Sequence, residues 1–306
     1  MKMDRMVDAM KLLTFYEDNE LTLGVKVDKG ILHLEKALDI FPNPSLPKTV
    51  EEVLAAGEAG LEELEQYVQK VEGHGVEELF LSEEELNFGP AVPNPGKIIC
   101  VGLNYRKHAD ESNMPYPEEP ILFSKFNNAL SAHNDTVTIP RGAEQIDYEA
   151  ELTIVIGKEA KDVKEEEALN YVFGYSNGND LSIRERQFKS GQWLLGKTAD
   201  GFCPVGPYLV TADEIENPND LPIRLSVNGN ERQNSSTADM IFNCKEIISY
   251  VSKYMTLQPG DIILTGTPEG VIMGYPEGER NWLQDGDEVT VEIEKLGRLT
   301  TRFSQE

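Results

Sequence analysis

The chain has 306 residues, of which 40% are hydrophobic, enough for the core of one large domain or of a domain with an appended unit. It carries 54 acidic and 28 basic residues, which gives a formal net charge of -26. Because this charge repels phosphate backbones and anionic lipids, nucleic acids and membrane surfaces are excluded as the main partners. A small acidic ligand is not excluded, since a local group of Lys, Arg or a metal ion can attract it.

Cysteine content and the first residues bear on the cellular location. Cys100, Cys203 and Cys244 are an odd number of cysteines without C-x-x-C spacing, and we expect buried, reduced thiols. The start, MKMDRMVDAMKLL, is charged and lacks the long apolar segment of a secretory signal. No apolar run elsewhere approaches the length of a membrane span. We therefore expect a cytoplasmic protein.

The first third of the chain predicts a small α+β unit. Residues 12–33 contain three β-like segments, LLTFYE, LTLGVKV and ILHL, and residues 49–72 carry Leu, Val and Ala at helical spacing. The segment NFGPAVPNPGK, residues 87–97, disfavours regular structure because it contains three prolines and two glycines. We predict an N-terminal α+β domain over residues 1–89 and a larger domain over residues 90–306.

The larger domain reads as strands of unequal spacing, with helical stretches at 164–171 and 244–257. The predicted strands are KIICVGLNY, PILFSKF, DYEAELTIVIG, FGYSNGND, IRLSVNG, GDIILTGTP and EVTVEIEKLGRLTTRF. The lack of regular βαβ alternation argues against a doubly wound sheet or a (β/α)8 barrel. The predicted fold class is mixed α+β and rich in strands.

Residues 146–157, IDYEAELTIVIG, contain two neighbouring carboxylates on one face of a strand. The even positions form an unbroken apolar row, so Glu149 and Glu151 lie together on the opposite face. Two interpretations remain open. The face is either solvated, as expected in an acidic protein, or the two carboxylates share a cation that removes their repulsion.

Asp180, at the end of FGYSNGND, is a candidate third carboxylate. Its alternative role is that of a helix N-cap ahead of LSIRERQ. Three carboxylates without a nearby Cys or His ligand pattern favour a hard cation, Mg2+ or Mn2+ with Ca2+ as an alternative, and disfavour zinc.

The segment GLNYRKHADE places His108 and Glu111 three residues apart, so that both lie on one side of a helix. A carboxylate that accepts a hydrogen bond from one ring nitrogen fixes the tautomer and leaves the other nitrogen as a base. The alternative is an ordinary surface pair. The following SNMPYPEEP is a proline-punctuated loop of the kind that closes over a site.

Residues 191–198, GQWLLGKT, match the phosphate-loop pattern G-x-x-x-x-G-K-[ST]. The context does not support an NTPase. The preceding LSIRERQFKS is not an apolar strand, and the loop interior, Gln-Trp-Leu-Leu, lacks the small residues that let backbone N–H groups surround phosphates. Lys197 therefore needs another role.

Together these segments resemble the fumarylacetoacetate hydrolase family, in particular bacterial members with a small extra N-terminal domain. The resemblance runs from about Lys97 to the C-terminus. It rests on VGLNYRKHADE, DYEAELTIVIG, FGYSNGNDLSIRERQ, GKTADGFCPVGPYLV, VNGNERQNSSTADMIF and GDIILTGTPEGV, in this order. It implies a catalytic domain of the β-roll or sandwich type that depends on a metal ion.

The resemblance also implies roles for individual residues. The metal ligands are Glu149, Glu151 and Asp180, and the catalytic residues are His108, Glu111 and Lys197. The substrate contacts are Arg184, Gln187, Gly266 and Thr267. Without the resemblance, the first two of these contacts read as exposed helix residues and the last two as a strand-ending turn.

The reaction implied by the resemblance is hydrolysis of a C–C bond in an acylpyruvate or fumarylacetoacetate-like β-diketo acid, through an enolate that the metal stabilises. Oxaloacetate decarboxylation and 2-hydroxyhepta-2,4-diene-1,7-dioate isomerisation are alternatives, as is a non-catalytic 2-oxo-acid-binding or scaffold protein. We expect a small 2-oxo acid as the substrate and a homodimer as the assembly.

Overall fold

The computed structural model describes residues 10–306. The expectation that the start of the chain lacks the apolar segment of a secretory signal concerns residues 1–9 in the main, and these lie outside the described residues. The strands in this range are β1 Lys11–Glu17, β2 Glu20–Val27, β3 Gly30–His33, β4 Phe80–Leu81, β5 Ile98–Gly102, β6 Ile121–Lys125, β7 Leu130–Ser131, β8 Thr136–Ile139, β9 Ile146–Asp147, β10 Ala150–Ile156, β11 Val172–Asn179, β12 Ser182–Ile183, β13 Cys203–Thr211, β14 Pro222–Val227, β15 Asn230–Ser236, β16 Ile262–Leu264, β17 Glu288–Ile293 and β18 Gly297–Gln305.

The α-helices are α1 Leu34–Ile40, α2 Val50–His74, α3 Arg106–Glu111, α4 Arg184–Gln187, α5 Leu194–Lys197 and α6 Cys244–Tyr254. Short 3-10 helices span Glu77–Leu79, Glu83–Glu85, Asn127–Ala129, Glu165–Tyr171, Ala212–Glu214, Thr237–Asp239, Ile272–Gly274 and Glu277–Glu279. The helix expected at 164–171 is therefore a 3-10 helix, and the one expected at 244–257 ends at Tyr254.

Local sequence explains the N-terminal elements. Strands β1 and β2 form a hairpin through Asp18 and Asn19, both at positive φ, which is the backbone that two-residue hairpin turns require. Helix α2 begins where the Thr49 hydroxyl accepts a hydrogen bond from the Glu52 N–H (3.1 Å), and it ends at the left-handed Gly75. A kink at Gly57 (φ 61°), which the helical spacing did not reveal, bends the helix.

The strands of residues 10–306 form three sheets. The largest has the order β4-β3-β2-β1-β13-β11-β10-β16-β5-β6, with β7 added beside β13. A five-stranded sheet has the order β15-β14-β17-β18-β8, and β9 pairs with β12. The described fold is thus mixed α+β and rich in strands, as predicted.

The first strand joins the predicted N-terminal unit to the rest of the chain. Strand β1 pairs with β13 in the register Lys11↔Val210 and Leu12↔Leu209, so the strands before residue 89 extend the large sheet. One apolar cluster contains residues from both parts, among them Leu12, Val71 and Cys100. The division into domains 1–89 and 90–306 stays a sequence prediction.

Four central strand ends meet at one place in the large sheet. Strand β10 lies between β11 and β16, and β16 runs parallel to β5. All seven residues of β10 are buried, because sheet neighbours and packing cover both of its faces. The predicted strand 146–157 is interrupted at residues 148–149, where the Glu149 N–H donates to the side-chain Oδ1 of Asn179 (3.0 Å) instead of to a backbone carbonyl of a neighbouring strand.

The three cysteines are buried and unpaired, as expected from their number and spacing. Among the helices of the described range, none is both long enough and apolar enough to cross a bilayer.

Asn177 of β11 connects the two large sheets. Its Oδ1 accepts from the Ile293 N–H (2.9 Å), and its Nδ2 donates to the carbonyls of Gly206 (3.1 Å) and Leu296 (3.0 Å). All of these groups are buried. Replacing the amide leaves several buried backbone groups without partners, each of which costs about 1–3 kcal/mol.

We predict that Asn177→Ala lowers the free energy of unfolding by about 2–4 kcal/mol. Urea denaturation of the variant and of the wild type measures this difference from the transition midpoints. Asn234→Ala, at an exposed position of β15, is the matched control and should change stability by less than about 0.5 kcal/mol. Equal shifts for the two variants would contradict the assigned role of Asn177.

Candidate active site

Three carboxylates meet because of the register between β10 and β11. The pairs Ala150↔Asn179 and Glu151↔Gly178 place the beginning of β10 beside the end of β11. The carboxylate oxygens of Glu149, Glu151 and Asp180 consequently lie within 4.8 Å of one another, and all three side chains are buried. The solvated-face interpretation of the two glutamates is therefore wrong.

The N-cap interpretation of Asp180 is also wrong. The residue at the N-cap of α4 is Ile183, and strand β12 lies between Asp180 and that helix. The Asp180 carboxylate is instead paired with two lysines. Its Oδ2 accepts from Lys197 Nζ (2.9 Å), and its Oδ1 lies 2.6 Å from Lys125 Nζ.

The two lysine ammonium groups are held differently. Lys197, at the end of α5, donates to Glu149 Oε2 (2.7 Å) as well as to Asp180. Lys125, at the end of β6, donates to the carbonyls of Leu181 (3.1 Å), Phe202 (2.8 Å) and Lys197. Lys125 therefore holds Asp180 and the end of α5 together. Of the two lysines, Lys197 is the one that lines the cavity.

Arg184 provides a third buried cation, and it is not an exposed helix residue. Its Nη2 lies 2.8 Å from Asp147 Oδ2 and 2.8 Å from Glu149 Oε1. Its Nε donates to Asp147 (2.9 Å), and its Nη1 donates to Gln187 Oε1 (2.9 Å). Arg184 and Gln187, both buried, thus form one hydrogen-bonded group with the carboxylates.

These neighbours shift the ionisation of the glutamates in opposite directions. Burial disfavours the charged form of Glu149, but Lys197 and Arg184 outweigh it and lower the pKa of Glu149 to about 2. Burial, followed by the charges of Asp180 and Glu149, holds the pKa of Glu151 well above its usual range. Burial acts to lower the pKa of Lys197, but Asp180 and Glu149 raise it, so its ammonium stays charged.

Glu151 differs from its neighbours because, within residues 10–306, no cationic side chain pairs with it. Its Oε2 accepts from the Gly266 N–H (2.7 Å), in the turn that follows β16. The residue at this position has φ 97°, and a Cβ there would lie 2.7 Å from Asn104 Cβ, so the turn requires glycine. The N–H of Gly266, which the resemblance assigned as a substrate contact, therefore donates to Glu151.

The donor set suits a divalent ion. The site contains four buried carboxylates and three buried cations: Asp147, Glu149, Glu151 and Asp180 against Lys125, Arg184 and Lys197. With all of them ionised, one negative charge is left over, and Glu151 is the carboxylate without a cation. Hard carboxylate oxygens at this spacing are ligands that Mg2+, Mn2+ and Ca2+ prefer. The fit supports a metal centre at Glu149, Glu151 and Asp180.

The predicted pair of His108 and Glu111 is formed on α3. His108 Nδ1 lies 2.7 Å from Glu111 Oε1, and Glu111 Oε2 accepts from the Gly270 N–H (2.9 Å). A Cβ at Gly274 would lie 2.7 Å from the same carboxylate, so the chain fits closely around it. His108 is 6% exposed, which excludes an ordinary surface pair.

One cavity of about 220 Å³ collects these groups. Seven of the ten predicted site residues line it: His108, Glu149, Glu151, Arg184, Gln187, Lys197 and Thr267. The other three support residues of the lining: Glu111 binds His108, Asp180 binds Lys197, and Gly266 binds Glu151. Thr267 Oγ1 accepts from Gln233 Nε2 (2.9 Å).

Sequence reasoning missed four residues of the site. Asp147 shares the odd register of Glu149 and Glu151, and that third acid was the available signal. Lys125 lies in the predicted strand PILFSKF, after the apolar run PILF and before Phe126, which could have marked it as a buried charge. Phe123 and Trp193, with ring centroids 5.3 Å apart, line the cavity, and no sequence pattern joins them.

A comparison with known families agrees with this geometry. The profile described as "Fumarylacetoacetate (FAA) hydrolase C-terminal" matches residues 97–304, about two thirds of the chain. The chain belongs to the fumarylacetoacetate hydrolase family. This is a family of enzymes, and the predicted family and fold class are both confirmed.

Relatives within the family carry different reactions in their names. The chain is 43% identical over 260 residues to "Oxaloacetate tautomerase fahd2, mitochondrial" of Xenopus laevis, covering 84% of this chain and 79% of that protein. It is 46% identical over 234 residues to "2,4-didehydro-3-deoxy-L-rhamnonate hydrolase" of Sphingomonas sp. (strain SKA58), covering 76% and 82%.

A solved family structure shows the same fold with ligands. The maleylpyruvate hydrolase of Sphingobium sp. SYK-6, in complex with a manganese(II) ion and pyruvate, superimposes with a TM-score of 0.74 at 29% identity. The superposition covers 97% of this chain and 99% of that chain.

We predict that Glu151→Gln weakens Mn2+ binding more than about 100-fold. This is more than the usual effect of replacing a residue that contacts a metal ligand but not the ion. The substitution keeps an oxygen for the Gly266 N–H and breaks no ion pair of the described residues, so the loss reports on the ion alone. Calorimetric titration of EDTA-treated protein with Mn2+, Mg2+ and Ca2+ measures it. Glu159→Gln, at an exposed position, is the control and should bind like the wild type.

The same titrations should depend on pH in a definite direction. Because the pKa of Glu151 is raised, the ion must displace a proton, and affinity should rise with pH until Glu151 is ionised. Unchanged Mn2+ affinity in Glu151→Gln would remove this carboxylate from the metal site.

Proposed function

We propose that the chain is a divalent-metal-dependent hydrolase that cleaves a C–C bond of an acylpyruvate or related β-diketo acid. The observation that carries the proposal is that the His108–Glu111 pair and the three-carboxylate cluster adjoin one cavity, which His108, Glu149 and Glu151 line. A positioned base and a site for a Lewis-acidic ion are the two components that hydrolysis of a 2-oxo acid by water requires.

The base is defined by its partner. A carboxylate accepts hydrogen bonds, so Nδ1 of His108 carries the proton shared with Glu111, and Nε2 has the free lone pair. Both oxygens of Glu111 are engaged, one by His108 and the other by Gly270. The ring is thereby held in one orientation, and Nε2 is the atom that takes a proton from water.

The charges of the cavity favour an anionic substrate. With all seven buried groups ionised their balance is -1, and a divalent ion makes it +1, which a substrate carboxylate then neutralises. When bound, the ion supplies Lewis-acid stabilisation of negative charge on the keto oxygen of a chelating 2-oxo acid. Lys197 uses two donors on Glu149 and Asp180, and its third N–H is the one we assign to the substrate.

The reaction follows from these assignments. His108 Nε2 removes a proton from a water molecule, whose oxygen attacks the acyl carbonyl distal to the carboxylate. The C–C bond then breaks. The acyl group leaves as a carboxylic acid, and the electron pair of the broken bond remains on pyruvate as the enolate. A proton returned to the enolate carbon completes pyruvate, so that acylpyruvate and water give a carboxylic acid and pyruvate.

The wall of the cavity favours an uncharged acyl group. Phe123, Trp193, Met114, Phe188 and Met273 supply apolar side chains. Both permanently charged cations of the lining, Arg184 and Lys197, are already paired with carboxylates. A second substrate carboxylate would therefore be desolvated without a cation of its own, whereas an alkyl or aryl acyl group gains apolar contact.

Enol–keto tautomerisation of oxaloacetate is the second candidate, because relatives at 41–44% identity carry that name. This reaction moves a proton between carbon and oxygen and needs the base without an attacking water. Decarboxylation of oxaloacetate needs neither. A cytoplasmic location and a homodimer remain part of the proposal.

We predict that His108→Ala lowers kcat on acetylpyruvate by roughly 10²–10⁴, the usual contribution of a positioned general base. Glu111→Gln should lower it less, because the imidazole stays in place. Loss of CO2 from oxaloacetate should change little in either variant. Stopped assays of acetylpyruvate cleavage, enol-oxaloacetate ketonisation and CO2 release, each with Mg2+ and Mn2+, provide the comparison.

The wild-type rates decide between the candidates. Cleavage of acetylpyruvate with a selective loss in His108→Ala supports the hydrolase. Fast ketonisation without cleavage of any acylpyruvate would replace it with the tautomerase. Equal small losses in all three assays would show that His108 is not a base.

We predict that Trp193→Ala shifts selectivity towards bulkier acyl groups, because removal of the indole enlarges the cavity beside Phe123. The ratio of kcat/KM for benzoylpyruvate to that for acetylpyruvate should rise by about tenfold, the scale of one or two methylene contacts. Leu195→Ala, two residues further along the chain but 58% exposed, is the control and should leave the ratio unchanged. An unchanged ratio in Trp193→Ala would place the acyl group elsewhere.

A further inference from the structure

Asp147 is a fully buried carboxylate to which the proposed mechanism gives no role. It ends β9, two residues before the first glutamate of the cluster. Its Oδ1 accepts from the N–H groups of Tyr148 (2.9 Å) and Ile272 (2.8 Å). Its Oδ2 accepts from the Met273 N–H (3.0 Å) and from Arg184 Nε (2.9 Å). These four donors come from three separate segments of the chain, so the carboxylate links them.

The contacts with Ile272 and Met273 connect Asp147 to the catalytic pair. Both residues belong to the segment Gly270–Gly274, whose first N–H donates to Glu111 Oε2 and whose last Cα lies against the Glu111 carboxylate. Asp147 thus holds the middle of the segment that surrounds Glu111. The Tyr148 hydroxyl donates to the Gly270 carbonyl (3.0 Å) and holds its beginning.

The contact with Arg184 connects the same carboxylate to the metal cluster. Arg184 Nη2 lies 2.8 Å from both Asp147 Oδ2 and Glu149 Oε1. Arg184 therefore contacts both Asp147, which supports the base, and Glu149, which is a predicted metal ligand. The Gly270–Gly274 segment and Arg184 are far apart in sequence, and Asp147 accepts hydrogen bonds from both.

We propose that Asp147 is a positioning residue that sets the orientation of the His108–Glu111 pair relative to the carboxylate cluster. It acts through the Gly270–Gly274 segment and Arg184 and does not itself touch the substrate. The proposal deepens the proposed function, and it rests on that function only where turnover is measured.

The main variant is Asp147→Asn, which keeps the size of the side chain and replaces one acceptor oxygen by a donor. The first readout needs no substrate. In protein labelled with ¹⁵N-histidine, the ring signals of His108 should shift, because the hydrogen bond between Nδ1 and Glu111 changes. The signals are assigned with His108→Ala. Asp261→Asn is the matched control: Asp261 is equally buried, pairs with Lys97 (2.6 Å) and does not line the cavity.

The second readout is turnover of acetylpyruvate in single and double variants. Asp147→Asn should lower kcat by roughly 10–100-fold, with a smaller change in KM. This is the usual cost of losing a residue that supports the groups of a metal site without contacting the ion. In the Glu111→Gln background the same substitution should have little further effect, since the residue it positions is already altered. Asp261→Asn should leave kcat unchanged in both backgrounds.

Tyr148→Phe tests the same segment if Asp147→Asn does not fold. It removes only the hydroxyl that holds Gly270, and it should shift the His108 signals and lower kcat in the same direction by a smaller factor. Unshifted His108 signals in the folded variants, or equal kcat losses with and without Glu111→Gln, would overturn the proposal. If the wild type cleaves no acylpyruvate, the proposed function falls, while the histidine spectra still decide whether Asp147 positions the pair.

Discussion

Seven buried charged groups have to be paired at one site, in and behind the lining of the cavity, and the rest of the site depends on this constraint. A charge taken out of water costs several kcal/mol unless partners and hydrogen bonds compensate it, and removing one partner of a buried pair typically costs about 3–5 kcal/mol. The protein meets the constraint by giving each cation more than one acceptor. Arg184 contacts two carboxylates, Lys197 two, and Lys125 one carboxylate and three carbonyls. Only Glu151 has no cation in the described chain, and this local imbalance is what makes the cluster suitable for a metal ion.

The sheet explains how residues so distant in sequence can satisfy that constraint. Strands β5, β10, β11 and β16 are neighbours in pairs, and their ends supply the segments that carry His108, Glu149, Asp180 and Gly266. Hydrogen-bonded registers fix these ends, so the side chains are positioned by the sheet before any ligand binds. Such preorganisation is what electrostatic catalysis requires, because the donors do not have to reorganise during the reaction.

The sequence predicted the parts of the site that depend on local periodicity. Alternation placed Glu149 and Glu151 on one face, and the spacing of His108 and Glu111 predicted their contact, because both follow from the geometry of one element. It could not decide whether the glutamate face was solvated, since burial of β10 depends on β16, more than a hundred residues away. It carried a signal for Asp147 and for Lys125 but could not give their roles, because their partners Ile272 and Phe202 meet them only in the folded chain. The break at residues 148–149 was missed for the same reason: Asn179 replaces the ladder bond there.

The charged floor and the apolar wall of the cavity come from different residues, which separates the chemistry from the choice of substrate. The floor consists of carboxylates and cations that constrain one another, so a change in any of them disturbs several pairs. The wall residue Trp193 has no such ties. It packs against Phe123 and against Gly102, where any Cβ would collide with the indole, and it can change without altering the charge balance. Under the proposed function, a scaffold of this kind would keep one mode of 2-oxo acid activation while its wall selects different acyl groups. Relatives named for tautomerisation and for hydrolysis are consistent with that division, since function resides in the site and not in the fold.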